Sequence, residues 1–170
     1  MLIFVLKKTT LFMGYTHYWR IKNNAGNYCS FNDIENGKKK FKEAVELFRE
    51  CLKYMNGKTM FPNWGDNAFT KKVDMVLCGG NGEGEPTIKD DLVCFNGCKA
   101  TGNYCETCYF ALDDESFNFC KTAREPYDTA VWVCILCFKY YFGENLQISS
   151  DGDESELSYA TDIFNAVVDM

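Results

Sequence analysis

Residues 117–152 decide the fold, and they read FNFCKTAREPYDTAVWVCILCFKYYFGENLQISSDG. A short strand-like run, Phe117–Cys120, precedes a polar segment, a long apolar helix pattern and a second short strand that ends in Ser149–Gly152. This order of strand, helix and strand predicts a parallel crossover in which the two strands lie side by side, a connection that is right-handed in nearly all proteins. The loops after the two strands should therefore meet at one edge of the sheet, where open α/β sheets bind their ligands.

Two further helices are predicted from apolar residues that recur every three or four positions. The first spans Lys38–Met55 and stops at Asn56-Gly57, and the second spans about residues 155–168 with Ser155 as its candidate cap. The helix inside the crossover begins near Pro126 and is apolar nearly all round, which is typical of a buried helix.

The remaining segments predict strands and loops. Residues 14–22 read as a strand that carries Tyr15, His17 and Trp19 on one face. Residues 91–96 and 104–110 read as a strand pair, residues 73–78 as another strand, and residues 58–72 as irregular structure. The predicted fold class is α+β: a mixed, mainly antiparallel sheet with a C-terminal strand-helix-strand crossover, one buried helix and two flanking helices.

The length of 170 residues predicts one domain over residues 13–170, with residues 1–12 as an N-terminal extension or an edge strand. The six apolar residues at the start are too few to span a bilayer and lack the features of a signal peptide. The formal net charge of −6 argues against general adhesion to nucleic acid or to an anionic membrane, although a local basic patch stays possible.

Ten cysteines are present, and several of them lie inside apolar periodic runs. Without a secretion signal, this pattern favours reduced, mostly buried thiols in a cytoplasmic protein. Two alternatives for the cysteines stay open. Cys94, Cys98, Cys105 and Cys108 are candidate ligands of a structural zinc ion, although the pairs lie closer together than is usual. Cys120 precedes Lys121 and a helix start, a setting that lowers a thiol pKa and suits a nucleophile.

Four motifs together resemble an uncharacterised family of small phage and bacterial proteins. They are Met13–Trp19 (MGYTHYW), Phe95–Gly97, Phe119–Arg124 with Pro126–Asp128, and Ser149–Gly152. The resemblance covers residues 13 to about 155 and implies a phage-type or mobile-element origin, with a start at Met13. It implies no activity and transfers no catalytic residue.

The candidate site lies at the predicted edge. A helix N-terminus attracts anions through its unpaired N–H groups, and Lys121 and Arg124 would strengthen that field. Asp151 follows the neighbouring strand and can act as a base, as can His17, the only histidine. The competing interpretation is that Arg124 forms an internal ion pair with Asp128 or Asp151, and that His17 is a hydrogen-bonded structural residue.

The leading hypothesis is a cytoplasmic protein that binds a phosphorylated or otherwise anionic small ligand, such as a nucleotide, with hydrolysis as its candidate reaction. His17 and Asp151 would then be catalytic, and the ligand-binding residues would be Lys121, Thr122, Arg124, Tyr127, Asp128, Ser149 and Ser150. Two alternatives stay open: a non-enzymatic protein that binds a host protein, and a zinc-stapled structural module. The glycine-rich segment 79–84 lacks the lysine of a phosphate-binding loop and is predicted to be a flexible loop or lid.

Overall fold

The computed structural model describes residues 15–63 and 68–170. Within these ranges the chain forms nine strands and three helices, which confirms the α+β class. In chain order they are β1 (Thr16–Ile21), α1 (Gly37–Met55), β2 (Lys58–Asn63), β3 (Ala68–Asp74), β4 (Leu77–Cys78), β5 (Thr87–Lys89), β6 (Leu92–Gly97), β7 (Cys108–Ala111), β8 (Asn118–Lys121), α2 (Asp128–Phe142), β9 (Leu146–Ser150) and α3 (Glu154–Val168).

A three-stranded sheet in the order β8-β1-β9 positions the candidate site. Because β1 is antiparallel to both neighbours, β8 and β9 run parallel to each other. The predicted crossover is therefore present, but the prediction that its two strands lie side by side is wrong, since β1 hydrogen-bonds to both and separates them. Their ends still meet: Lys121 lies opposite Thr16, and Ser150 lies opposite His17, at the start of β1.

Helix α2 is the buried helix that the sequence predicts, and it packs against α1, α3 and β9. A stack of aromatic rings ties it to the sheets. The ring of Trp19 on β1 lies 4.6 Å from that of Phe110 on β7, which lies 4.4 Å from that of Phe138 on α2. All three side chains are at most 1% exposed. Burial of each such side chain contributes on the order of 2 kcal/mol, so this stack fixes β1 against α2.

A second group of strands surrounds β6, which pairs antiparallel with β4, β5 and β7. This arrangement confirms the predicted pair at residues 91–96 and 104–110, although β7 starts only at Cys108. Residues 58–72 were predicted to be irregular, but β2 and β3 form an antiparallel pair there. Pro62 argues against a strand in the sequence, and only pairing with β3 makes this segment extended. The predicted strand 73–78 is divided between the end of β3 and β4.

The helix ends follow capping chemistry. Asn56 has a φ of 50° and ends α1, as predicted for this Asn-Gly pair. Asp153, rather than the predicted Ser155, caps α3: its carboxylate accepts from the Glu156 N–H, and the Glu156 carboxylate accepts from the Asp153 N–H. No helix in the described ranges is long and apolar enough to cross a membrane. The N-terminal extension predicted at residues 1–12 lies outside the described residues.

Candidate active site

A continuous hydrogen-bonded relay joins a serine, the single histidine and an aspartate from three different elements. His17 on β1 is fully buried. Its Nδ1 lies 2.8 Å from Oγ of Ser150 at the end of β9, and its Nε2 lies 2.7 Å from Oδ1 of Asp128 at the start of α2. Because an ionised carboxylate only accepts hydrogen bonds, Nε2 of a neutral imidazole carries the proton. Nδ1 is then the acceptor for the Ser150 hydroxyl.

Local structure explains why the three side chains converge. Alternation along β1 turns His17 inward together with Tyr15 and Trp19, as the sequence predicts. The register places Ser150 directly opposite His17, and the crossover brings the first turn of α2 beneath the same end of the sheet. Ser150 is only half-buried, so the relay runs from a buried histidine to a partly exposed serine residue.

One further group holds the Asp128 carboxylate. The fully buried Thr122 donates its hydroxyl proton to Oδ1 of Asp128, the oxygen that also contacts Nε2 of His17. The same carboxylate acts on the nearby Tyr15: burial raises the pKa of Tyr15 well above its usual value, and the Asp128 charge raises it further. His17 and Thr122 thus contact one carboxylate oxygen, which fixes the ring of His17.

The loop between β8 and α2 carries backbone strain next to the relay. Ala123 and Arg124 have φ values of 51° and 62°, a left-handed conformation that is unfavourable for residues other than glycine. Such strain clusters at functional sites, where the surroundings enforce it. Here it places the Arg124 guanidinium 4.2 Å from the Tyr15 ring centroid, with Nε 2.6 Å from a Glu156 carboxylate oxygen. The ion pair predicted for Arg124 is present, but its partner is Glu156 rather than Asp128 or Asp151.

The other predicted site residues lie around the relay without joining it. Asp151 accepts hydrogen bonds from the Thr16 N–H and, at 3.4 Å, from the Tyr18 hydroxyl, so it does not contact His17. Lys121 and Ser149 are exposed. Tyr127 is buried and donates its hydroxyl proton to a backbone carbonyl, at 2.8 Å. The edge therefore assembles His17, Thr122, Asp128 and Ser150, with Asp151 and Arg124 close by.

The charge of this edge is negative. Residues 121–128 and 149–156 contain six carboxylate side chains and only two cationic ones, Lys121 and Arg124. Asp128 already occupies the first turn of α2, where a negative ligand would otherwise be attracted to the helix N-terminus. The electrostatic field therefore favours neutral or cationic ligands over anionic ones.

The cysteines do not form the sites considered for them. All ten are free thiols, as predicted. Cys108 is fully buried next to Cys134, whereas Cys98 lies against Cys78. No group of three or more His, Cys, Asp or Glu residues in the described ranges is arranged to hold a metal ion, so these ranges contain no ligand set for the zinc alternative. Burial also raises the pKa of the Cys120 thiol well above its usual value, contrary to the nucleophile hypothesis.

The glycine-rich segment is a tight turn closed by its own hydrogen bonds. The Gly79 N–H donates to the carbonyls of Glu83 and Gly84, and the Gly82 N–H donates to that of Gly79. The Thr107 hydroxyl donates to the Gly80 carbonyl at 2.6 Å. Because these N–H groups are used internally, the segment is not built to cradle a phosphate, as its lack of the phosphate-loop lysine indicates. That it is a flexible loop or lid remains a prediction.

Comparison of the chain with protein families, with curated proteins and with solved structures gives no match. The resemblance to small phage and bacterial proteins, and the origin it implies, remain predictions. The relay is thus described by its own geometry alone.

Sequence reasoning missed two supporting residues of the site. Alternation along the strand places Tyr15 on the same face as His17, but the sequence gives no indication that Tyr15 belongs to the site. Glu156 anchors both Arg124 and the α3 cap, and its spacing of three residues after Asp153 is that of a capping box. This spacing is visible in the sequence and could have identified Glu156.

Proposed function

We propose that this protein is a hydrolase in which Ser150 is the nucleophile, His17 its general base and Asp128 the residue that orients His17. The observation that supports the proposal is the relay itself, with distances of 2.8 Å and 2.7 Å on the two sides of one imidazole. Nucleophile, base and orienting carboxylate within hydrogen-bond reach of one another are the signature of an activated hydroxyl, and the same constellation serves hydrolysis on unrelated folds.

The proposed reaction has two stages, acylation of Ser150 by the ester and hydrolysis of the acyl-serine by water. Oγ of Ser150 attacks the carbonyl carbon of an ester while Nδ1 of His17 takes the hydroxyl proton. Collapse of the tetrahedral intermediate breaks the bond to the leaving alkoxide, which receives that proton from Nδ1. Water then attacks the acyl-serine with His17 again acting as base, and this step releases the acid and restores Ser150. Asp128 stabilises the imidazolium that forms in each stage.

The substrate class that fits best is a small neutral or cationic ester, because the two segments that form this edge contain six carboxylates, Asp128 included, and only two cations. The phosphorylated or anionic ligand expected from the sequence remains a prediction that this charge makes less favourable. Arg124, which was expected to bind such a ligand, is hydrogen-bonded to Glu156 and stacked on Tyr15.

The test is hydrolysis of three chromogenic or thiol-detected substrates that differ in charge: 4-nitrophenyl acetate, acetylthiocholine and 4-nitrophenyl phosphate. A fluorophosphonate probe followed by peptide mass spectrometry identifies the reactive serine. We expect hydrolysis of the first two and labelling of Ser150. Ser150→Ala should lower kcat/KM by at least about 10³-fold, and Ser149→Ala, the matched control on the opposite face of the same strand, should leave it unchanged.

Three results would overturn the proposal. They are an unlabelled Ser150 with no hydrolysis of any ester, hydrolysis that survives Ser150→Ala, and labelling of Ser149 instead. In each case the relay would be a structural network that holds the sheet edge to α2. Turnover of the phosphate ester alone would support the anionic-ligand hypothesis in its place.

A further inference from the structure

The solvent-facing side of the three-stranded sheet carries a second feature, which we call the outer face. It is the opposite side of β1 from His17. The register pairs Tyr18 with Phe119 of β8 and with Ser149 of β9, and it pairs Arg20 with Gln147. Phe117 and Tyr28 border these strands. The outer face is thus formed mainly by Tyr18, Arg20, Lys22, Phe117, Phe119 and Lys121, with Tyr28 opposite Lys22 at its border.

Three aromatic rings on this face are exposed and lie close together. Tyr28, Phe117 and Phe119 are each just over half exposed, between 52% and 53%. The rings of Tyr18 and Phe117 stack at 6.0 Å, and those of Phe117 and Phe119 lie 6.5 Å apart. Clusters of large exposed apolar side chains mark binding surfaces rather than ordinary protein surface.

Cations lie among these rings. The guanidinium of Arg20 stacks 3.3 Å from the centroid of the Tyr28 ring, and Nζ of Lys22 lies 4.9 Å from the same centroid. Within the described residues, no salt bridge joins Arg20, Lys22 or Lys121 to a carboxylate. Nε of Arg20 is also buried without a hydrogen-bond partner. These three cations therefore have no ion-pair partner among the described residues, although Lys121 lies at the end of the face next to the negative edge.

A groove of about 240 Å³ runs between these groups. Its lining combines the rings of Tyr18, Tyr28 and Phe117 with the polar side chains of Arg20 and Gln147. Asp151, which accepts from the Tyr18 hydroxyl, limits the positive region at one end. The groove combines flat rings, the Gln147 amide and one cation, Arg20, which suits a ligand that has a planar ring with polar groups at its edge and an anionic group attached.

We infer that the outer face binds single-stranded nucleic acid, with bases stacked on Tyr18, Phe117 and Phe119 and phosphates beside Arg20, Lys22 and Lys121. Proteins that bind single strands combine aromatic stacking platforms with positive grooves in this manner. A protein partner would also contact exposed rings, but stacked rings beside cations that have no ion-pair partner favour a ligand with both bases and phosphates. The net charge of −6 excludes general adhesion to polyanions, so binding at this face depends on stacking.

The test is fluorescence anisotropy of the full chain with labelled oligo(dT) and oligo(rU) of about 12 nucleotides, and with a duplex of the same length. We expect both single strands, or one of them, to bind more tightly than the duplex. Tyr18→Ala and Phe119→Ala should each weaken binding by roughly 5- to 150-fold. Tyr54→Ala on α1, which removes an equally exposed ring elsewhere, should have no effect.

Charge is tested separately. Arg20→Gln should weaken binding and reduce the slope of log K against log salt by about 0.7, whereas Lys89→Gln on β5 should leave the slope unchanged. The inference fails if no single strand binds at about 50 mM salt, or if the two aromatic variants bind as the wild type does. It also fails if the duplex binds as tightly as the single strands. A difference between DNA and RNA identifies the preferred strand.

This inference is independent of the proposed hydrolase. Ser150→Ala should leave oligonucleotide binding unchanged, and Phe119→Ala should leave ester hydrolysis unchanged, because the two sets of side chains lie on opposite sides of the sheet. Failure of one proposal is therefore distinguishable from failure of the other.

Discussion

Replacement of Asp128 by alanine should be among the most damaging single changes at the edge of the central sheet. The carboxylate accepts from Nε2 of His17 and from the hydroxyl of Thr122. Both donors belong to residues with no exposed surface, so neither can turn to bulk water. The change removes one acceptor and leaves two buried donors without a partner.

The magnitude follows from these two donors. An unsatisfied buried polar group costs about 1–3 kcal/mol, so the loss should be roughly 2–6 kcal/mol. The Asp128 side chain is itself 17% exposed, and a water molecule can enter the vacated space and satisfy one donor. We therefore expect a value in the lower half of this range, about 2–4 kcal/mol. That is a large share of the 5–15 kcal/mol by which domains are typically stable.

Urea unfolding followed by far-ultraviolet circular dichroism measures this difference, provided that the m value is unchanged. Thr122→Val is the matched control. It removes one donor and leaves the His17–Asp128 contact intact, so it should cost only about 1 kcal/mol. The reasoning is refuted if Asp128→Ala lies within about 0.5 kcal/mol of the wild type, or if Thr122→Val is the more damaging of the two.

Two further predictions concern the segment after β9. A Cβ on Gly152 would lie 2.6 Å from the Tyr15 hydroxyl oxygen, so Gly152→Ala should displace that buried ring and lower the free energy of unfolding by about 1–3 kcal/mol. The control, Ser149→Ala, should change it by less than about 0.5 kcal/mol. A change as small as this for Gly152→Ala would contradict the prediction. Hydrogen bonds from the Ser155 hydroxyl and the Glu156 N–H lower the pKa of Asp153 below its usual value of 3.8. As the pH falls through 3.8 and below, Asp153 therefore takes up a proton in the unfolded chain before it does so in the folded chain. The stabilisation by Asp153 is therefore complete above pH 3.8 and is lost as the pH falls through the lowered pKa of the folded state. Asp153→Asn should flatten the dependence of thermal stability on pH in this acid range. An unchanged slope would show that Asp153 contributes nothing to it.

The parts of the fold that could be predicted from the sequence are those with local causes. Helix α2 is apolar all round, and the strands on either side of it are short, so the crossover and its direction follow from the pattern. The insertion of β1 between β8 and β9 could not be predicted in this way. Strand partners are set by long-range hydrogen bonding. The pattern of residues 117–152 therefore does not indicate that β1, about a hundred residues earlier in the chain, pairs with both strands.

The candidate site likewise has one part that follows from local pattern and another that depends on long-range strand pairing. Alternation predicted that His17 shares a face with Tyr15 and Trp19, but only the register of β1 and β9 shows that Ser150 rather than Asp151 faces the histidine. A shift of one residue at the end of a strand turns a side chain to the other side of the sheet. The prediction of Asp151 as a catalytic residue thus selected the neighbour of the residue that makes the contact.

This dependence on register also explains how one strand can contribute side chains to both proposed sites. A slip of β1 by one residue would expose His17 and Trp19 and would bury Tyr18 and Arg20 instead. Trp19 is 1% exposed and stacked on Phe110, so such a slip would sacrifice the ring stack that joins β1 to α2. The core therefore fixes the register, and the register fixes both the relay beneath the sheet and the aromatic groove above it. Variants that loosen the core, such as Phe110→Ala, should impair ester hydrolysis and oligonucleotide binding together, whereas variants at either surface should impair only one.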